Sequence, residues 1–269
     1  MIQRVSGSGD PGVALYRDVA DAELLRLRGL FVAEGRLVVQ RVLEDPAYAV
    51  QSVLLSDAAS HALEPLLTAV RLDLPIYICE AADFLGITGH NIHRGCLALV
   101  ERPASKTIAD LIRPPVSPCA TVVVLEAVTN ADNVGGVFRN VAAFGADGVV
   151  LSPTTCDPLY RKAIRTSMAA TLRVPFARLD AWPAGLDELH SAGFTIVALT
   201  PREPSATLDA FVSERRPGKI ALLVGTEGAG LSADAESMAD VRVRIPISPG
   251  VDSLNLAVAV GIALHRLSV

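Results

Sequence analysis

Apolar and polar positions alternate along the chain in two α/β halves, joined by a segment rich in proline. Short apolar and β-branched runs in the first half predict four strands, at 30–35, 50–56, 74–80 and 95–102. Apolar positions at helical spacing predict helices within 35–45 and 58–70. Prolines then interrupt any regular element, at Pro114, Pro115 and Pro118. We therefore place a domain boundary near residue 115, with domains at 1–112 and 117–269.

The second half alternates strand and helix more strictly. Six strands are predicted, at 119–128, 148–153, 173–177, 194–200, 219–225 and 240–246. The helices are predicted near 134–144, 160–170, 184–191, 232–238 and 252–267. Continuous apolar strands between helices are typical of a parallel sheet with helices on both faces. Ligands bind such sheets at the carboxyl ends of the strands, so the loops after the strands are the places to search.

Length and composition indicate how large a core the chain can bury and where the protein is located. With 269 residues, 51% of them hydrophobic, the chain can bury a core in each of two domains. No apolar run has the length needed to span a bilayer, and the first residues lack the basic-then-apolar pattern of a signal peptide. We expect a soluble, cytoplasmic protein with no membrane partner.

Charge leaves a nucleic-acid partner open. The net charge is −5, yet 21 of the 24 basic residues are arginine, which makes planar, bidentate contacts to phosphate. GC-rich coding would enrich arginine equally well, so composition alone does not decide.

Metal and disulfide sites are not expected. The four cysteines, Cys79, Cys96, Cys119 and Cys156, are widely spaced, and we interpret each as a small buried hydrophobe. His90 and His93 have no third ligand nearby in the sequence, so we interpret them as loop residues.

Three loops of the second half carry unusual polar groups. The first, "NADNVGGVFRN" at 130–140, holds Asn133 and Arg139 around two glycines that permit a close approach of a ligand or a neighbouring element. Taken alone, this loop favours a plainer interpretation, with Asn133 as a helix N-cap and Arg139 as a solvated helix residue.

The second loop is "LLVGTEGAGLS" at 222–232. Its glycines follow the order G-x-x-G-x-G, the reverse of a dinucleotide fingerprint, and Glu227 would repel a pyrophosphate. An acid among glycines suits a cationic or mildly polar ligand, although a tight turn into a helix starting at Ser232 would also explain the pattern.

The third loop lies within "RIPISPGVDSLNLAVAVGIALHRL" at 244–267. Ser253 or Asp252 could be an N-cap of the long apolar helix. Asn255, in the first turn, is harder to dismiss because asparagine is a poor helix former.

Together, in this order, "NADNVGGVFRN", "VGTEGAGLS" and "IPISPGVDSLNLAVA" resemble the three motifs of the SpoU (TrmH-like) RNA 2′-O-ribose methyltransferases. That family belongs to the SPOUT class, whose parallel sheet carries a C-terminal deep trefoil knot. The first half, with "RLRGLFVAEGRLVVQRVLED" and "GHNIHRGCLALVER", is similar to the L30e-like RNA-binding domain that precedes the catalytic domain in many members.

The resemblance implies transfer of a methyl group from S-adenosyl-L-methionine to a ribose 2′-OH without a metal. It implies a cofactor site at Thr200, Gly225, Ile245, Ser253 and Leu254. The implied catalytic residues are Asn133, Arg139, Glu227 and Asn255. Arg139 would hold the adjacent phosphate and stabilise the developing alkoxide, because its high pKa makes it a poor proton acceptor.

The implied partners are RNA, with ribosomal RNA ahead of transfer RNA, and a second copy of the chain in a homodimer. Two other classes stay open from the residues: a non-catalytic RNA-binding protein with a degenerate second half, and a dinucleotide-dependent dehydrogenase, which the glycine order disfavours.

Overall fold

The structure, a computed structural model, describes residues 2–17, 21–69, 73–88, 95–111 and 119–268. His90, His93 and the three prolines Pro114, Pro115 and Pro118 lie outside the described residues. Contacts divide the chain into two compact units, Met1–Ala104 with Leu159–Ala169, and Ser105–Pro158 with Ala170–Val269. A short segment of the second half therefore packs with the first half, which the linear pattern does not reveal.

Within these ranges the strands, in chain order, are β1 Ile2–Arg4, β2 Leu30–Glu34, β3 Val50–Ser56, β4 Ile76–Cys79, β5 Cys96–Glu101, β6 Ala120–Leu125, β7 Gly148–Leu151, β8 Phe176–Arg178, β9 Thr195–Leu199, β10 Ala206–Thr207, β11 Lys219–Val224 and β12 Val241–Arg244. The α-helices are α1 Asp21–Glu23, α2 Arg36–Glu44, α3 Asp57–Leu67, α4 Ala81–Thr88, α5 Ile108–Leu111, α6 Ala131–Phe144, α7 Arg161–Thr166, α8 Asp187–Ser191, α9 Leu208–Arg215, α10 Ala233–Ser237 and α11 Leu256–Leu267.

The first unit is built on a mixed sheet in the order β1-β4-β3-β5-β2. Strands β1, β4 and β3 run parallel, and β5 is antiparallel to both of its neighbours. The four predicted strands are confirmed. Strand β1 was not predicted, because three residues are too few to show a period.

The second unit holds a seven-stranded sheet in the order β10-β12-β9-β11-β6-β7-β8, parallel throughout. The predicted parallel sheet and its six strands are confirmed, with the two-residue β10 in addition. Central strands are buried along almost their whole length, since β6 and β11 each have five buried residues of six. Burial on both faces explains their unbroken apolar sequences. The trefoil knot stays a prediction.

Two helix starts differ from the predictions. Helix α6 begins at Ala131 and is capped by the side chain of Asn130, so Asn133 is not an N-cap. Helix α11 begins at Leu256, and Asn255 is its N-cap in place of Ser253 or Asp252. Helix α9 was missed because eight residues give few repeats of a helical period.

The cysteines fall into two groups. Cys79 and Cys96 are buried, as predicted, and burial raises the pKa of the Cys96 thiol to about 12. The prediction was wrong for Cys119, which is exposed at the start of β6, and Cys156 is half-buried. Among the helices that the structure describes, none has both the length and the apolar character to cross a membrane.

Candidate active site

A cavity of about 620 Å³ opens at the carboxyl ends of β9, β11 and β12 in the second unit. This volume lies within the range of small-molecule sites. Its walls come from three segments of chain: 199–201, 224–230 and 244–259. All five predicted cofactor residues line it, namely Thr200, Gly225, Ile245, Ser253 and Leu254.

The cavity forms here because neighbouring strands end at the same level. Val224 pairs with Leu125 in the β11–β6 ladder, and Leu199 pairs with Val243 in the β12–β9 ladder. The next residue, Thr200, donates its backbone N–H to Val243 at 2.9 Å and is buried. Loops that leave three parallel strands at one edge must diverge, and the space between them is the cavity.

The glycine-rich loop, residues 225–231, is folded tightly on itself. Gly230 donates its N–H to the Thr226 carbonyl at 3.0 Å. A Cβ added at Gly225 would lie 2.2 Å from the backbone of Gly230, a distance at which atoms clash. Gly228 and Gly230 have φ of +84° and +71°, in the left-handed region that favours glycine. These three glycines therefore shape the loop itself.

Three of the predicted catalytic residues meet in one hydrogen-bonded cluster. Asn255 donates from Nδ2 to Asn133 Oδ1 at 2.9 Å and to Glu227 Oε1 at 3.0 Å. Its Oδ1 accepts the backbone N–H groups of Ala257 and Val258 at the start of α11. The cap fixes which end of the amide faces the cluster, so Asn255 presents donors to Asn133 and Glu227.

Each outer member of this cluster keeps one polar atom for another partner. Asn133 is 4% exposed, and within the described chain its Nδ2 has no hydrogen-bond partner. Glu227 is exposed, and its Oε2 likewise has no partner there. A donor and an acceptor thus lie close together beside the cavity, an arrangement that can bind a hydroxyl group from both sides.

Close packing of α6 against α11 brings Asn133 and Asn255 together. A Cβ added at Gly136 would lie 2.6 Å from the Cβ of Ala257. Asn140 donates to the Ala257 carbonyl at 2.6 Å. Gly136 therefore serves the approach of a neighbouring helix, which is one of the two roles that the sequence left open for it.

Arg139 is placed apart from this cluster. It is exposed on α6, about 9 Å along the helix axis from Asn133, and it is not among the residues that line the cavity. It makes no hydrogen bond or ion pair with any residue that the structure describes. Its predicted catalytic role stays a prediction.

The structure adds residues that the sequence reasoning missed. Leu199, Pro201, Arg244 and Asp252 also line the cavity. Arg244 forms an ion pair with Glu203 at 3.0 Å and a hydrogen bond to the carbonyl of Ser205. The available signal was a charged residue, Arg244, at the carboxyl end of the strand Val241–Arg244. In the described part of the chain, no three His, Cys, Asp or Glu side chains gather as a metal site requires.

Residues 120–265, more than half of the chain, match the SpoU rRNA Methylase family. The chain belongs to this family. The predicted family membership and α/β SPOUT fold class are thereby confirmed, whereas the L30e-like nature of the first half stays a prediction. A curated relative, the "Uncharacterized tRNA/rRNA methyltransferase" of Mycobacterium bovis, is 37% identical over 269 residues, covering 98% of this chain and 91% of its own.

Solved structures agree with this family fold. The AdoMet-bound rRNA methyltransferase of Sinorhizobium meliloti superposes with a TM-score of 0.81 at 23% identity, covering 99% of this chain and 97% of its own. A structure described as an RNA 2′-O ribose methyltransferase gives a TM-score of 0.77 at 22% identity, covering 98% of both chains. At such identities the likeness establishes the fold alone, and it extends along nearly the whole chain.

Proposed function

We propose that this SpoU-family methyltransferase transfers a methyl group from S-adenosyl-L-methionine to a ribose 2′-hydroxyl of RNA. The observation that carries the proposal is the cluster of Asn133, Glu227 and Asn255, which leaves a free donor and a free acceptor beside the cavity. A hydroxyl group needs both kinds of partner, one for its oxygen and one for its proton.

The residues of the cavity fit S-adenosyl-L-methionine. Leu199, Val224 and Leu256 give apolar walls for a flat purine, and Glu227 and Asp252 favour a cationic ligand. The described lining contains no lysine, its arginine, Arg244, is paired with Glu203, and the glycine-rich loop carries an acid. Together these features disfavour a phosphate-bearing cofactor. The cofactor supplies a methyl group already activated by a positively charged sulfur.

The chain itself must then align and polarise the hydroxyl. Asn133 donates to the ribose oxygen, and Glu227 accepts the hydroxyl proton, which leaves as the oxygen takes the methyl group. Asn255 holds both in place through its Nδ2. Arg139 binds the adjacent phosphate, and its positive charge stabilises the negative charge that develops on the ribose oxygen. None of these steps requires a metal ion.

The substrate is RNA, because DNA lacks the 2′-hydroxyl. Ribosomal RNA is the first candidate and transfer RNA the second. The family description names rRNA, and the names of the curated relatives include both tRNA and rRNA. Residues 1–112 select the RNA and residues 117–269 perform the chemistry. In the first unit Arg26 and Arg28 are exposed, as phosphate-binding residues must be.

The active form is a homodimer formed through α11. Val258 and Ile262 stand one helical turn apart on this helix and are 51% and 38% exposed. Such an apolar pair is typical of an interface with a second copy. Replacing Val258 by Asp should give monomers, which light scattering after size-exclusion chromatography would detect.

The decisive experiment uses the full chain with methyl-labelled S-adenosyl-L-methionine and unmodified ribosomal or transfer RNA. After digestion to nucleosides, mass spectrometry should find label on ribose, in equal yield with excess EDTA. Label on a base would overturn the ribose assignment. Cofactor binding without any transfer would favour a non-catalytic RNA-binding protein.

A further inference from the structure

Glu126 is a buried carboxylate that the proposed reaction does not use. It follows β6, is 6% exposed, and does not line the cavity. Three donors converge on it: Trp182 Nε1 at 2.8 Å and Ser232 Oγ at 2.6 Å on Oε1, and the Ser232 backbone N–H at 2.9 Å on Oε2. Glu126 therefore accepts three hydrogen bonds, two of them from Ser232, so its carboxylate fixes the position of Ser232.

Through Ser232, Glu126 fixes the C-terminal end of the glycine-rich loop. Ser232 is the residue after the loop, and its Oγ also accepts the Ala235 N–H as the N-cap of α10. The loop entrance is fixed separately, because Glu126 donates its own N–H to Val224, the last residue of β11, at 2.9 Å. One residue thus holds both ends of the loop.

Arg202 holds the same loop from another side. Its guanidinium donates to the carbonyls of Ala229 at 3.0 Å and Leu231 at 3.1 Å. The buried carboxylate of Glu236 fixes this guanidinium at 3.0 Å. Arg202 follows Thr200 and Pro201, which line the cavity, so it links two of the cavity segments.

We propose that Glu126 and Arg202 are positioning residues that hold the glycine-rich loop in its ligand-binding shape before any ligand arrives. They act through the loop, which supplies Gly225, Thr226 and Gly228 to the cavity wall and holds Glu227 against Asn255. A loop that is already ordered spares the ligand the entropy cost of ordering it. The proposal rests on the proposed function, in which this cavity binds the cofactor.

The first test is Glu126→Gln in the full chain. Whichever way the amide is turned, its NH₂ group faces an N–H donor, from Trp182 or from Ser232, so at least one bond becomes a repulsion. Amides of residues 226–231 should exchange hydrogen faster in the absence of any ligand. The Kd for S-adenosyl-L-methionine by calorimetry and its KM should both rise at least about tenfold, with a smaller effect on kcat.

Two further variants make the test specific. Trp182→Phe removes a donor from Glu126 but leaves both bonds to Ser232, so loop exchange and cofactor affinity should stay within about twofold of wild type. Arg202→Lys keeps the charge, but a lysine ammonium lacks the planar fork with which the guanidinium binds two carbonyls and Glu236 at once. This variant should therefore reproduce the effect of Glu126→Gln. It also keeps the proposal testable if Glu126→Gln does not fold.

Unchanged loop exchange and cofactor affinity in a folded Glu126→Gln or Arg202→Lys protein would overturn the proposal. A lower melting temperature with unchanged exchange in 226–231 and unchanged Kd would assign these residues to stability alone, and would overturn it too. If the wild-type chain binds no S-adenosyl-L-methionine, the proposed function fails, while the exchange measurement still decides whether Glu126 and Arg202 hold the loop.

Discussion

Asn255 donates from Nδ2 to Asn133 Oδ1 at 2.9 Å, although the two residues are 122 positions apart in the chain. The same amide caps α11 with its oxygen. One side chain therefore ties the start of one helix to the first turn of another, and it sets the orientation of Asn133 and Glu227 beside the cavity.

Asn255→Asp separates these two functions. Aspartate caps a helix about as well as asparagine, so α11 should keep its cap, and any loss of stability should come from the cluster alone. Replacing Nδ2 by oxygen, however, sets it against the oxygens of Asn133 and Glu227, and single-turnover methyl transfer should fall about 10²-fold. Asn255→Ala, the control, should lose transfer and also about 1 kcal/mol of stability in urea. Wild-type transfer by the aspartate variant would remove the cluster from the mechanism.

Arg139→Ala tests electrostatic catalysis separately from binding. Arg139 is exposed and does not line the cavity, so cofactor affinity should be unchanged and stability should change by about 0.5 kcal/mol or less. Single-turnover transfer with saturating RNA should fall about 10²–10³-fold, and Arg139→Lys should recover little of it.

The matched control is Arg173→Ala, which removes an exposed arginine from the same unit with no role in the proposed site. It should leave the transfer rate unchanged. Equal rates for the two alanine variants would make Arg139 an ordinary surface residue.

Gly136→Ala should destabilise the packing of α6 on α11. The new Cβ would lie 2.6 Å from the Cβ of Ala257, so the helices must separate. Overpacking of this kind costs about 1–3 kcal/mol, measured as a shift in the urea midpoint. The double variant Gly136→Ala with Ala257→Gly makes room again and should recover part of the loss. Additive effects of the two substitutions would show that the contact does not limit the helix distance.

Gly225→Ala should abolish binding of S-adenosyl-L-methionine by opening the glycine-rich loop, because its Cβ would lie 2.2 Å from the Gly230 backbone. The control is Gly228→Ala, where φ is +84° but no atom lies within 4 Å of the added Cβ. That variant should cost about 1–2 kcal/mol of backbone strain and retain cofactor binding. Calorimetric titration of both proteins decides, and equal affinities would contradict the assigned role of Gly225.

The sequence by itself determined most elements of the second half, though not β10 or α9, and the segments that line the cavity. Buried parallel strands are continuous apolar runs, and turns between them concentrate glycine and polar residues, so both can be found without coordinates. Residues such as Thr200 and Ile245 lie at the carboxyl ends of predicted strands, and the fold brings the ends of those strands to one edge.

The tertiary structure alone decided which of these residues touch. Periodicity is a local property, whereas the bonds from Asn255 to Glu227 and from Ser232 to Glu126 join residues 28 and 106 positions apart. Such contacts depend on strand order and on how closely two helices pack, and neither is encoded in the spacing of apolar residues. The family resemblance grouped Arg139 with Asn133 as catalytic residues, whereas α6 places them about 9 Å apart along its axis.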